Sequence, residues 1–288
     1  MKTLLIPLLV LLTTLVGSAQ LNVHLAIERQ QYLTHEPVYA VVTITNRSGR
    51  TLELVSEQKG TMAHSWLDFS MRDSRGKSLV RRTNLVFQKA VVPSGQAIKR
   101  RVSLNRLFQI SRVSSYSVTA RVRQPGAEEL VYSSNSGHFT VASGILAYRQ
   151  PFGVPNSPAP KREYRVLTFN DGRKTSIYAS VMNTGTGHSI STFRISDALL
   201  FKQPQCMIDG KNQLHVLYLG NPNIFVHATI NQNGGMGKPT YLKVGSSGDP
   251  RLFPFANGEV KVAGGIPYDP VKEAAEKSKI KRATDRPR

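Results

Sequence analysis

Met207-Ile-Asp-Gly-Lys-Asn-Gln-Leu-His-Val-Leu-Tyr218 decides the fold class of this chain. An apolar strand end runs into Asp209-Gly210, a pair favoured in tight turns, and an alternating strand follows. That second strand sets His215 among aliphatic residues. The stretch has two echoes, Leu167-Thr-Phe-Asn-Asp-Gly172 upstream and Phe255-Ala-Asn-Gly-Glu-Val-Lys-Val262 downstream. One hairpin written three times makes antiparallel β-structure the organising feature of the C-terminal half. Longer segments repeat as well. Val166-Leu-Thr-Phe169 with Ile177 to Asn183 after its turn matches Val216-Leu-Tyr-Leu219 with Ile224 to Asn231, Val166 and Val216 standing 50 residues apart, and Pro204 to Val216 aligns with Pro250 to Val262 at an offset of 46. Repeats of this period built from short strands point to propeller-like units, but only two fit within 164–265, fewer than the four a closed propeller needs. A small antiparallel β domain accounts for the pattern with less chain.

Upstream of the repeats the period-2 signal continues. Leu21, Val23, Leu25 and Ile27 alternate with polar or small residues, as do Val38, Ala40, Val42 and Ile44, then Leu67, Phe69 and Met71, then Tyr116, Val118, Ala120 and Val122. Asn46-Arg-Ser-Gly49, Asp73-Ser-Arg-Gly76, Pro93-Ser-Gly95 and Gln124-Pro-Gly126 supply turns between them. At least seven short strands at intervals of about 8–12 residues predict a β-sandwich over 20–142.

Within that region, Leu21-Asn-Val-His-Leu-Ala-Ile27, Tyr32-Leu-Thr-His-Glu-Pro-Val38 and Val41-Val-Thr-Ile-Thr-Asn-Arg-Ser-Gly49, with Val92-Pro-Ser-Gly95 and Ser115-Tyr-Ser-Val-Thr-Ala120, resemble bacterial exported immunoglobulin-like domains. Ser115 stands where those domains usually carry Gly before the late Tyr, and the disulfide of antibody-type domains is absent. The resemblance implies a spacer or adhesion module, or a protease-inhibitor-like sandwich. Pro204 to Tyr218 similarly resembles the Pro…Asp-Gly…His-Val hairpin of sialidase-like propeller repeats, which implies an accessory or degenerate hydrolase.

The domain plan follows from composition. Residues 1–19 read as a signal peptide: Met1-Lys2 is basic, Thr3 to Val16 is apolar but shorter than the ~20 residues that span a bilayer, and Gly17-Ser18-Ala19 offers a cleavage site before Gln20. The expectation is an exported protein, periplasmic or at the cell surface, with no transmembrane segment after cleavage. Residues 20–142 form the sandwich. Residues 143–163 contain Pro151, Pro155, Pro158 and Pro160 and read as an extended linker. Residues 164–268 form the repeat domain, and 269–288 a flexible basic tail.

The chain of 288 residues has a net charge of +20. The excess is distributed, +9 over 20–142, +7 over 143–268 and +3 over 269–288. A distributed excess suits attraction to anionic envelope polysaccharide or a membrane surface, and argues against nucleic acid, whose grooves cluster cations beside aromatics. Another protein is the remaining partner class. A single cysteine, Cys206, leaves no internal disulfide, and its apolar setting reads as a buried, inert thiol.

Candidate chemistry is sparse. The seven histidines show no helical metal-ligand spacing. His215 and His227 lie on strands that can neighbour one another, so with Asp209 they form the one conceivable set: Asp209 and His215 as acid–base residues, or His215 and His227 as metal ligands. Asp171, Asp209 and Asp249 lie in or beside turns, where Asp serves the backbone. Thr184-Gly-Thr-Gly-His-Ser189 lacks the Lys of a phosphate-binding loop, and no Gly-x-Ser-x-Gly elbow occurs. No cofactor pattern is present. Tyr148, Phe152, Tyr164, Tyr178, Phe193, Phe225 and Tyr241 could face sugars, but alternation places most of them in the core. The reading is an all-β, non-enzymatic binding or structural protein of the cell envelope.

Overall fold

The computed structural model describes residues 21–59, 62–124, 130–153, 161–246 and 248–284. The signal segment with its cleavage site, and the 154–160 core of the Pro-rich stretch, lie outside these residues. The described chain is almost entirely antiparallel β-structure, as the alternation predicts. It separates into two compact units. The first holds the described residues up to Glu28 and within Tyr39–Phe108 and Ser117–His138; the second holds Arg29–Val38, Gln109–Tyr116 and the described residues from Phe139 onward. Three short segments of the expected sandwich, 29–38, 109–116 and 139–142, thus group with the second unit.

In the first unit, strands Leu21–Ile27, Tyr39–Asn46 and Ala97–Ser103 form one sheet with Tyr39–Asn46 at its centre. That position buries alternate residues Ala40, Val42 and Ile44 while their neighbours stay partly exposed. Asn46 ends the strand for a specific reason. It is fully buried, its amide donates to the carbonyls of Arg50 and Val92 (2.8 Å for the latter), and its Oδ1 accepts from the Ser48 backbone N–H at 2.9 Å. Each polar atom is satisfied, as burial requires. Trp66, the only tryptophan, is buried with its indole N–H donated to the Gln88 carbonyl at 2.9 Å. Its ring packs on Phe87.

The second unit is built from two larger sheets. A meander of Ile145–Phe152, Arg162–Asn170, Thr175–Asn183 and Ser189–Asp197 forms one. Gln205–Ile208, Leu214–Asn221, Ile224–Ile230, Thr240–Lys243 and Ile266–Tyr268 form the other. Their facing sides share one core that includes Tyr164, Val166, Ile177, Ala179, Val181, Leu214, Val216 and Tyr218. The Leu214–Asn221 strand is buried on both faces. Its other side carries Leu217 and Leu219, packed against Leu252 and Val260 of a third hairpin, Arg251–Pro254 with Val260–Ala263. The unbroken run Leu214 to Leu219 is the sequence form of such double burial.

All three repeated stretches are hairpins, but the central turn differs from its reading. Gly172 and Gly258 adopt positive φ, as turn glycines do. In the central copy the left-handed residue is Asn212 (φ 59), two positions beyond Gly210. Asp209 Oδ1 accepts the backbone N–H of Lys211 (2.9 Å) and Gln213 (2.7 Å), so this carboxylate shapes the turn. Gly210 instead serves a close approach. Its N–H donates to the Gly258 carbonyl at 2.7 Å, joining the tips of two of the repeated hairpins. Tyr164 reinforces the junction from below. This fully buried side chain shares its hydroxyl between the carbonyls of Asn212 (2.8 Å) and Ile230 (3.1 Å). Tyr164→Phe leaves those carbonyls short of a donor, and an equilibrium denaturant curve is expected to show a loss of about 1–2 kcal/mol.

Two expectations are corrected. The stretch 143–163 is not an extended linker throughout: Ile145–Phe152 is an edge strand paired with Arg162–Asn170, interrupted by a bulge between Leu146 and Tyr148. Its Pro151 carries the composition of a linker, yet proline is tolerated here because the strand has no partner on one side among the described residues. The flexible tail is also replaced in part by a helix, Pro270–Thr284. Asp269 starts it, accepting the backbone N–H of Val271 at 2.9 Å. Lys243 and Lys277 both pair with Glu273.

Candidate functional site

The expected set of Asp209, His215 and His227 does come together. Met207–His215 and Leu217–His227 are cross-strand neighbours, so strand register places both histidines on the face that carries Leu217, opposite Val216. His215 Nδ1 lies 3.0 Å from His227 Nε2, and His215 Nε2 lies 3.3 Å from Asp209 Oδ2. The two rings stack at 5.2 Å and 18°. In the tautomer in which His215 carries its proton on Nε2, it donates to the Asp209 carboxylate and accepts at Nδ1 the Nε2–H of His227, whose Nδ1 is then a lone pair. Burial, and then the neighbouring His215, push the His227 ring down to about 4. The arrangement is a linear relay. A single metal ion is not enclosed by it, because the two nitrogens of the middle ring point in opposite directions. No group of three or more His, Cys, Asp or Glu side chains among the described residues is arranged to hold a metal.

Cys206 does not join the relay. It lies one position before Met207, on the alternate face, and packs against the core between the two large sheets. Burial pushes its thiol up to about 12, which keeps it protonated and inert. Most aromatic residues considered as sugar-binding are consumed by the core: Phe152 and Tyr164 are buried between the two large sheets with Tyr148, Phe193 and Tyr241 packed partly against them, and Phe225 is buried with Leu217 and Leu219; Tyr178 is buried outside these clusters.

A second feature, not legible in the sequence, lies in the same unit. A cleft of ≈ 470 Å³ is lined by Arg29, Arg173, Lys174 and Arg194, with Asp171 the one carboxylate among its walls. The cations are positioned by identifiable contacts. Arg29 pairs with buried Glu36 and reaches the Tyr178 hydroxyl at 3.5 Å. Arg194 pairs with Asp197 and donates from Nε to Ser176 Oγ at 2.9 Å. Lys174 Nζ lies 3.2 Å from Asp197 Oδ2. Arg173 has no ion-pair partner among the described residues. Tyr178 is 3% exposed and lines the same cleft. Burial, and then Glu36, raise its pKa, so it stays a hydroxyl donor. Its oxygen accepts from Arg29, and its proton has no acceptor among the described residues. Guanidinium and ammonium groups with a buried O–H donor form an environment for an oxyanion.

Comparison with known proteins adds no family. No family model matches the chain, and no curated protein matches it. Among solved structures, the chain is similar to Spo0M, a sporulation control protein of Bacillus subtilis, at 8% identity and a TM-score of 0.28, covering 92% of this chain and 97% of that one.

Proposed function

We propose that this is an exported, non-enzymatic binding module of the cell envelope that holds anionic envelope material in the cationic cleft of its second unit. The observation that carries the reading is the convergence of Arg29, Arg173, Lys174 and Arg194 on one cleft, with the Tyr178 hydroxyl at its wall. The signal-like pattern of residues 1–19 supports export, and the net charge of +20 favours encounter with polyanions. Among the described residues no helix is long and apolar enough to cross a membrane.

The test uses immobilised dextran sulfate beside neutral dextran. The protein is expected to bind the sulfated polymer alone and to lose at least tenfold in affinity between about 50 mM and 200 mM salt, as counterion release requires. Equal retention on the neutral polymer, or binding indifferent to salt, would contradict the reading.

A second reading, a degenerate or accessory hydrolase, is favoured by one observation, the relay of Asp209, His215 and His227. Neither this cleft nor the one described below is lined by those three side chains. The relay has a sufficient structural role in bracing the Asp209 turn.

A further inference from the structure

Beside the cationic cleft lies a second one of ≈ 550 Å³, and the two share Arg173 and Lys174. Its far wall is the loop between strands Ser189–Asp197 and Gln205–Ile208, which carries Leu199, Leu200 and Phe201. The base of this loop is fixed. Ala198 N–H donates to the Thr175 carbonyl at 3.0 Å, and Leu199 N–H to the Leu219 carbonyl at 2.8 Å. On the other side Lys202 pairs with Asp249, and its ammonium lies 5.8 Å from the centre of the Phe225 ring. Between these anchors Leu200 and Phe201 project outward, 41% and 83% exposed. Phe201 is the most exposed large apolar side chain among the described residues.

A phenylalanine held out in water forgoes the free energy that burial of its ring would return. Here it is held out from a braced loop, next to Arg173, whose charge has no ion-pair partner among the described residues, and next to Lys174. An apolar tip flanked by cations matches the interface of an anionic bilayer, where rings enter the acyl boundary while basic groups remain among phosphates. A soluble polyanion would use the cations and leave the ring in water.

We infer that the Leu200–Phe201 tip and the adjoining Arg173 and Lys174 dock the second unit on an anionic lipid surface. This rests on the anion-binding reading of the cleft and names the anionic material as lipid headgroups. The phosphates occupy the cationic cleft, and the ring enters the bilayer beside them.

The test is co-sedimentation with vesicles of phosphatidylcholine containing phosphatidylglycerol, beside vesicles of phosphatidylcholine alone, with dextran sulfate as a parallel soluble ligand. Wild-type protein is expected to bind the anionic vesicles. Phe201→Ser, at an exposed position where folding is unaffected, is expected to weaken vesicle binding about tenfold and to leave dextran sulfate binding unchanged. Arg173→Gln with Lys174→Gln is expected to weaken both. If Phe201→Ser binds vesicles like wild type, or weakens dextran sulfate binding equally, the lipid inference falls and the cationic reading stands. The same follows if wild type binds dextran sulfate but no vesicle. If wild type binds neither ligand, both fall.

Discussion

Trp66→Ala is expected to destabilise the first unit by about 3–5 kcal/mol and to lower its thermal midpoint by roughly 10 °C or more. The side chain is 1% exposed, so its removal opens a cavity beside Phe87 and leaves the Gln88 carbonyl without its indole donor. Both costs act in the same direction. The measurement is a circular dichroism melt, since the variant lacks the chain's only tryptophan. Trp66→Phe refills much of the space without restoring the hydrogen bond and should recover more than half of the loss. A midpoint within about 2 °C of wild type for the alanine variant would show that this cluster does not hold the unit together.

The second large effect is acid lability of the relay. In the unfolded chain a histidine titrates near 6.5, whereas His227 in the fold stays neutral until about 4. Between those values the unfolded state binds the extra proton, so stability falls as pH drops from about 6.5 to about 4. Transfer of the whole shift would cost about 3 kcal/mol; screening of a partly exposed ring reduces this to about 1–2 kcal/mol. His35, pushed down chiefly by burial and then by Arg165 and His188, adds a loss of the same sign. Denaturant midpoints at pH 7 and pH 4.5 measure the sum. His227→Gln, which keeps a donor for His215 and carries no titratable proton, should shrink the difference while His35 keeps part of it. An unchanged difference would place the proton elsewhere.

Much of the fold is legible in the residues because its signals are local. Alternation from Leu21 to Ile27 and from Tyr39 to Asn46 marks the strands, and three turn sequences mark three hairpins that are all present. The failures have physical causes. An edge strand tolerates Pro151, so a proline signal hides the strand Ile145–Phe152. The Asp209 turn uses side-chain capping and Asn212, which a dipeptide rule credits to Gly210. The helix Pro270–Thr284 lacks an apolar stripe, and although Glu273 and Lys277 stand at the local i,i+4 spacing, the pairing of Glu273 with Lys243 is visible only in three dimensions.

The candidate site divides in the same way. Asp209, His215 and His227 are legible together because two lie on adjacent strands of one sheet and the third in the turn that leads into the first of them. The cationic cleft is not legible, because Arg29 is distant in the chain from Arg173, Lys174 and Arg194, and one basic residue among many carries no signal of its own. The exposure of Phe201 is equally hidden. Sequence alone does not distinguish an aromatic residue that leaves the core from one that fills it, and the 198–201 stretch reads equally as helical turn or strand.

The central claim is that the cleft, and not the distributed charge, binds anionic material. The slope of log affinity against log salt for dextran sulfate tests it with two double variants that each remove two charges. Arg173→Gln with Lys174→Gln should reduce the slope by ~1.5 and the affinity by tenfold or more. Arg47→Gln with Arg50→Gln, on an exposed turn of the first unit, should change neither. Equal losses from the two pairs would show that the net charge alone attracts the polymer, and would contradict the account.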